Sequence, residues 1–238
     1  MINLLSYFHP LERIKRRREA YHSSLPLPNV ISQLIQQPIP NIADIAMDLD
    51  YIVLDFETTG LDSKQDLILS MGWVTISQGK IDLLTAQHIY INDASQINPQ
   101  TAVINHITPQ MLAEGVSIHD AMNTFFQAAK GKIIVAHACA VEANFMNHYL
   151  EHSFHLPNAP LIWIDTLCIE KKRAKAINQD DDLDLTLSGV RQRYNLPEYN
   201  SHNALADAVS TAELLLAINK RLQPNNSTTF GQLYKMSQ

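Results

Sequence analysis

The chain is poor in the residues that build stapled or fibrous proteins. Two cysteines among 238 residues, Cys139 and Cys168, cannot form the disulfide framework of a small secreted domain. They are expected to be reduced, partly buried thiols. Seven glycines and eleven prolines exclude a collagen-like or Gly/Pro-rich polymer. No apolar run approaches the ~20 residues of a membrane-spanning helix, so no membrane partner is expected. Basic charge is also scarce: 18 Lys and Arg against 24 Asp and Glu leave a formal net charge of −6. A chain that coats nucleic acid through its overall field is usually basic, so any such contact here must be local. The short apolar start, from Ile2 to Phe8, precedes the basic run Arg13, Lys15, Arg16, Arg17, Arg18, the reverse of a secretory leader. A cytoplasmic location is expected. What is present is an ordinary apolar fraction of 46%, which excludes a disordered chain.

Two regions differ in pattern. Residues 1–47 read as an extension: a basic helix within Leu4 to Tyr21, then Pro26, Pro28, Pro38 and Pro40, which prevent any long helix. Arg16, Arg17 and Arg18 fit either a solvated helix face or an arm that contacts a phosphate backbone or an acidic partner. From residue 48 to 238 the pattern is α/β. Tyr51 to Phe56 is an almost wholly apolar, β-forming run, as expected of a central strand. Leu67 to Ser77 and Ile81 to Ile91 are further strands about the hairpin signal Gln78-Gly79-Lys80. Short strands are expected at Lys132 to Ala136 and Leu161 to Ile164, with Asp165 placed to cap the helix that follows. Helices are expected at Ser117 to Lys130, Val141 to His152, Leu185 to Tyr194 and His202 to Leu222, and an exposed loop over Lys171 to Asp184.

Three segments carry candidate chemistry. In Asp55-Phe56-Glu57-Thr58-Thr59-Gly60 the two acids are two apart on a strand, so both point to one face. Two unpaired carboxylates on an otherwise apolar strand are costly to bury, and either basic side chains or bound cations must offset them. Gly60 and the threonines end the strand in a tight turn, where backbone N–H groups can approach a ligand. His202 to Asp207 opens a helix with an apolar continuation. If His202 precedes that helix, its ring and the Asp207 carboxylate can reach one site. Glu142 lies in the first turn of a helix after a short strand, where an acid also suits the helix dipole.

Taken together, DFETTG, then H-x4-E-x2-F after a short strand, then H-x4-D in a late helix resemble the DEDDh 3′–5′ exonucleases. That group includes the proofreading subunit epsilon of DNA polymerase III and RNase T. Leu69-Ser70-Met71-Gly72-Trp73-Val74, Ile104-Asn105-His106-Ile107-Thr108 and Ile164-Asp165-Thr166-Leu167 add to the likeness, which spans about residues 48–222. It implies a ribonuclease-H-like α/β exonuclease fold, a five-stranded mixed sheet flanked by helices. It implies two Mg²⁺ or Mn²⁺ ions, hard cations that prefer oxygen ligands, held by Asp55, Glu57, Glu142 and Asp207. It implies His202 as general base, and Thr58, Thr59, Gly60 and Asn105 around the 3′-terminal nucleotide of single-stranded DNA or RNA. A polymerase or other protein partner could be met through residues 11–21.

One block departs from the family pattern H-N-x-x-F-D: here it reads His137-Ala138-Cys139-Ala140-Val141-Glu142. Glutamate keeps the charge and both oxygens, but one added methylene moves the carboxylate by about 1.5 Å. Misplacements near 1 Å can cost about 10²-fold in rate; Val141 in place of Phe leaves room for a compensating shift. Two other readings stay open: a catalytically weak exonuclease-fold module that binds nucleic acid or a polymerase or other partner protein, and an unrelated metal hydrolase or phosphatase.

Overall fold

The computed structural model describes residues 8–24, 27–92, 107–176, 183–199, 202–222 and 228–238. Five strands form one sheet: β1 Tyr51–Thr58, β2 Ile68–Ser77, β3 Lys80–Tyr90, β4 Ile133–Ala136 and β5 Trp163–Asp165. Their order is β3-β2-β1-β4-β5, with β1 antiparallel to β2 and parallel to β4. The hairpin between β2 and β3 turns at Gln78 and Gly79, both at positive φ (50° and 67°), the conformation a two-residue connection demands.

Alternation along β1 sorts its side chains onto the two faces. Ile52, Leu54 and Phe56 enter one apolar cluster with Met71, Trp73 and Phe125. Tyr51 and Val53 enter the other, with Val74, Val135, Ile164 and Leu214. Asp55 and Glu57 share the parity of Tyr51 and Val53, so the second layer is the one they face.

Nine helices cover the sheet among the described residues: α1 Pro10–Ser24, α2 Asn29–Gln36, α3 Pro109–Ala113, α4 Ile118–Ala128, α5 Ala140–Phe154, α6 Thr166–Ala176, α7 Leu187–Arg193, α8 Ala204–Leu222 and α9 Phe230–Met236. α2, α4 and α5 give Ile31, Leu34, Met122, Phe125, Phe145 and Met146 to the first cluster. α8 and α9 give Leu214, Leu215, Ile218, Phe230 and Leu233 to the second. Local signals set the helix starts: the Ser117 hydroxyl accepts the Asp120 N–H at 3.1 Å, and Thr108 with Pro109 opens α3.

The N-terminal extension is docked onto this body. Leu11 and Ile14 of α1 and Ala46 are buried in the second cluster, and Ile31, Leu34 and Ile35 of α2 in the first. The prolines do exclude a long helix, and an eight-residue one fits between them. The segment from Lys171 was expected to be a loop, but α6 continues to Ala176. Its inner face carries Ile169, Glu170 and Ala174, and that buried stripe outweighs the basic composition.

Candidate active site

Asp55, Glu57 and Asp207 come together: one carboxylate oxygen from each lies within 4.8 Å of the others. Among the described residues this is the one group of three or more acidic, His or Cys ligands that close. Strand alternation supplies the first two acids. The third comes from α8, which crosses β1 and β2 on the same face. Its stripe of small buried residues, Ala204, Ala208 and Ala212, lets the helix lie close. Gly72 of β2 is opposite Asp55 in the ladder, and a Cβ there would sit 2.2 Å from the backbone of Ala204 and Leu205. The glycine is what admits the start of α8, and with it Asp207. Farther along, the buried Arg191 of α7 donates to the carbonyl of Ser210 and, at 2.7 Å, to the Glu213 carboxylate, fixing α8 from its other side.

His202 does precede the helix. Asn203 caps it, its Oδ1 accepting the Ala206 N–H at 3.0 Å. The N–H of His202 donates to Asp207 Oδ2 at 3.0 Å, and the residue is exposed at φ 66°, a left-handed conformation that non-glycine residues seldom adopt. That bond and the cap hold the histidine at the rim of the acid cluster.

Glu142 arrives from the opposite layer, on the first turn of α5. Pairing between β1 and β4 stops at Val53 with Val135, so the Phe56 N–H lies beyond the ladder, and the Glu142 carboxylate accepts it. Its charge is felt at Asp55. Glu142 therefore stands beside the trio, not within it. Its Oε2 is buried with no hydrogen-bond partner.

The electrostatics are those of acids crowded out of water. Asp55 is held well above the usual carboxylate range by burial and then by the charges of Glu142, Asp207 and Glu57. Burial, with Asp207 adding to it, pushes Glu57 up to about 7. Burial and the charge of Asp165 push Glu142 up to about 8, against the pull of backbone N–H groups. Asp207 is also raised by burial, opposed by the N–H groups of His202 and Asn203. No lysine or arginine pairs with Asp55, Glu57 or Glu142 among the described residues. Carboxylates at this density, with an orphaned oxygen among them, form a donor set suited to hard divalent cations.

The remaining sequence candidates have mixed placements. Thr58 donates its hydroxyl to the Gly60 carbonyl at 2.6 Å. The Thr59 hydroxyl donates to Asp66 at 3.0 Å and accepts the Leu67 N–H at 2.9 Å. A Cβ on Gly60 would lie 2.4 Å from the Asp66 carboxylate, so a larger residue there would displace the side chain that Thr59 holds. Asn105 lies outside the described residues. His137 is inside the fold, its ring nitrogens 2.9 Å from Thr166 Oγ1 and from the Leu185 carbonyl. Asp165 does cap α6, through the Leu167 N–H at 2.9 Å, and it also accepts the N–H groups of Ala138 and Cys139 ahead of α5. Cys139 and Cys168 are free thiols, half-buried, as expected.

Sequence reasoning placed Gly72 in a block of the family likeness without giving it a role, and passed over Arg191 and Leu61. Gly72 and Arg191 position α8. Leu61, one residue beyond Gly60, is 77% exposed, an exposure that only the fold reveals.

A sequence profile of the RNase T exonuclease family matches residues 52–215, a span that includes all four acids and His202. The chain belongs to the RNase T exonuclease family. Relatives include a DNA polymerase III of the PolC type from Thermotoga maritima, 29% identical over 205 residues that cover 85% of this chain and 14% of the relative. A 3′–5′ exonuclease DinG from Staphylococcus epidermidis is 26% identical over 187 residues, 79% of this chain and 20% of that one. The chain thus spans only a small part of the length of these curated relatives. Among solved structures, the nuclease domain of 3′hExo, a DEDDh family member bound to rAMP, superposes with a TM-score of 0.62 at 14% identity, covering 79% of this chain and 97% of that one. Exonuclease X with a 5′-overhanging duplex DNA gives 0.59 at 21% identity, covering 79% and 99%. The fold expected of a DEDDh exonuclease is the fold observed. No helix among the described residues is long and apolar enough to cross a membrane.

Proposed function

We propose that this exonuclease removes nucleotides one at a time from the 3′ end of single-stranded DNA or RNA. The observation that carries the reading is the convergence of Asp55, Glu57 and Asp207 from a strand and a helix distant in sequence, with Glu142 beside them and, among the described residues, no lysine or arginine paired with Asp55, Glu57 or Glu142.

These four acids would hold two divalent cations, Mg²⁺ or Mn²⁺. Such a pair activates water and stabilises the attacking and leaving oxygens of an in-line displacement. Asp55 and Glu57 are fixed by strand geometry, Asp207 by the packing of α8 at Gly72. Glu142 keeps one oxygen on the Phe56 N–H and leaves Oε2 free for a ligand. His202, at the rim, takes the proton of the attacking water, the role histidine fills most often in general acid–base catalysis. The new bond joins water oxygen to phosphorus, the bond from phosphorus to the 3′ oxygen breaks, and a nucleoside 5′-monophosphate leaves. Thr58, Thr59 and Gly60, with Asn105, border the terminal nucleotide, and Leu61 offers an apolar surface to its base. A cytoplasmic setting, and a polymerase or other protein partner reached through residues 11–21, belong to the same proposal. The reduced cysteines and the PolC-type relative support them.

The test uses a single strand labelled at its 5′ end. With Mn²⁺ the label should move down a ladder one nucleotide at a time, and EDTA should stop it. Asp55→Asn should slow it by about 10²-fold or more, the scale of losing one stabilising group. Internal cuts, loss of the label first, or a rate indifferent to EDTA would reject the reading.

A further inference from the structure

A second site lies on the flank of the domain, where α1 crosses α5 and α9. A cavity of about 420 Å³ opens there, walled by Arg13, Arg17, Asn147, Asn158, Trp163 and Tyr234 among others, with no aspartate or glutamate side chain in its lining. In a chain of net charge −6 a pocket with two guanidinium groups and no acidic side chain in its lining is a local reversal of sign. Its volume falls in the range of small-ligand sites, about 300–1,000 Å³.

The two arginines are four apart, one above the other on α1. They do not hold the helix in place. That is done by Leu11 and Ile14 in the core, and by Arg18, which donates to the carbonyls of Pro160 at 3.0 Å and Gln37 at 3.1 Å. Arg17 makes one long bond, 3.3 Å, to the Asn158 carbonyl. The Arg13 guanidinium donates no hydrogen bond and makes no ion pair among the described residues. The neighbouring acid Glu12 is taken by Lys15 at 2.9 Å. So the basic run resolves into an anchor, Arg18, and two guanidinium groups kept available at a cavity mouth.

We propose that this cavity binds a nucleotide unit, its phosphate between Arg13 and Arg17 and its base against Trp163. Guanidinium groups bind phosphate through paired N–H donors, an indole face stacks any base, and Asn147 and Asn158 supply amides at the wall. The cavity reaches Ala143, the residue after Glu142, so the site adjoins the first turn of α5. A strand whose 3′ end lies among the acids can seat an upstream nucleotide there. This inference rests on the exonuclease reading, and a free nucleotide shares the same chemistry.

The test compares the full chain with Arg13→Glu/Arg17→Glu and Arg13→Lys/Arg17→Lys variants, after their melting temperatures confirm folding. Fluorescence anisotropy in EDTA follows a labelled 12-nucleotide strand and, as competitor, a nucleoside monophosphate. In the charge-reversed variant the strand should bind at least 10-fold more weakly at low salt. Its salt slope should fall by about 1.4, the expectation for two lost phosphate contacts on a single strand. The lysine variant should recover part of the affinity. Competition by the monophosphate supports a free nucleotide as occupant, and binding of the strand alone supports an upstream residue of the substrate. Unchanged strand affinity and slope overturn the proposal, including the case where the surface serves an acidic protein instead. Mn²⁺-dependent release of nucleotides by the unaltered chain is scored separately. If release occurs and the variants bind normally, only this site falls; if there is no release, the exonuclease reading falls.

Discussion

Gly72 faces Asp55 across the β1–β2 ladder and lies directly beneath Ala204, the first residue of α8. The absence of one side chain on β2 thus brings a carboxylate from residue 207 to a strand at residue 55. Gly72→Ala must push the start of α8 outward, because its Cβ would meet backbone and not a flexible side chain. Overpacking of this kind costs about 1–3 kcal/mol. Exonuclease rate and Mn²⁺ affinity should both fall, the rate by about 10²-fold or more for a displacement near 1 Å. Kinetics with a metal titration measures this; a variant with normal rate and affinity would show that Asp207 does not depend on Gly72.

Glu142 stands where the family pattern has aspartate, and the site is built to its length: the carboxylate already accepts the Phe56 N–H. Glu142→Asp should therefore lower the exonuclease rate, by about 10-fold or more given the steep cost of misplacement. A rate increase would show the natural residue to be a handicap, and would favour the catalytically weak module over an efficient enzyme.

The neighbouring substitution from the family pattern, Ala138, carries a different cost. Ala138 adopts φ 61°, where asparagine and glycine are at ease and alanine is strained. Ala138→Gly or Ala138→Asn should stabilise the protein by about 0.5–1 kcal/mol, read as a shift in denaturant midpoint. A loss of stability would mean that the turn before α5 is held by something other than backbone preference.

The crowded acids set a pH dependence for the metal-free protein. Glu57 and Glu142 are raised from an ordinary value of 4.5 to about 7 and about 8, chiefly by burial. The fold thus binds protons that the unfolded chain has already released. The associated stability is full below about 4.5 and is lost as pH rises through 7 and then 8. In EDTA, melting temperature should fall between about pH 5 and pH 8, and Mn²⁺ should reverse more of that fall at the higher pH. A melting temperature that climbs with pH in EDTA would contradict this burial of charge.

Much of this was legible in advance, for physical reasons that differ by residue. Asp55 and Glu57 could be paired because strand period is two, and His202 and Asp207 because an apolar helix follows them. The short strands β4 and β5 were readable as buried apolar runs. Other features depend on surroundings a sequence does not print. Gly72 looks like any strand glycine until α8 lies on it. α9, seven residues long, carries too little periodicity to announce itself, and the end of α6 reads as loop because four of the six residues from Lys171 to Ala176 are basic. The basic run on α1 did not disclose that Arg18 is an anchor while the Arg13 guanidinium has no hydrogen-bond or ion-pair partner among the described residues.

The most direct measurement counts Mn²⁺ bound per chain by electron paramagnetic resonance, in the full protein and in Asp55→Asn. Two ions per unaltered chain are expected, with at least one lost on substitution in parallel with 3′-end release of nucleotides. A chain that releases nucleotides while binding no Mn²⁺, or that binds it equally well without the Asp55 carboxylate, would contradict the role given to the acids.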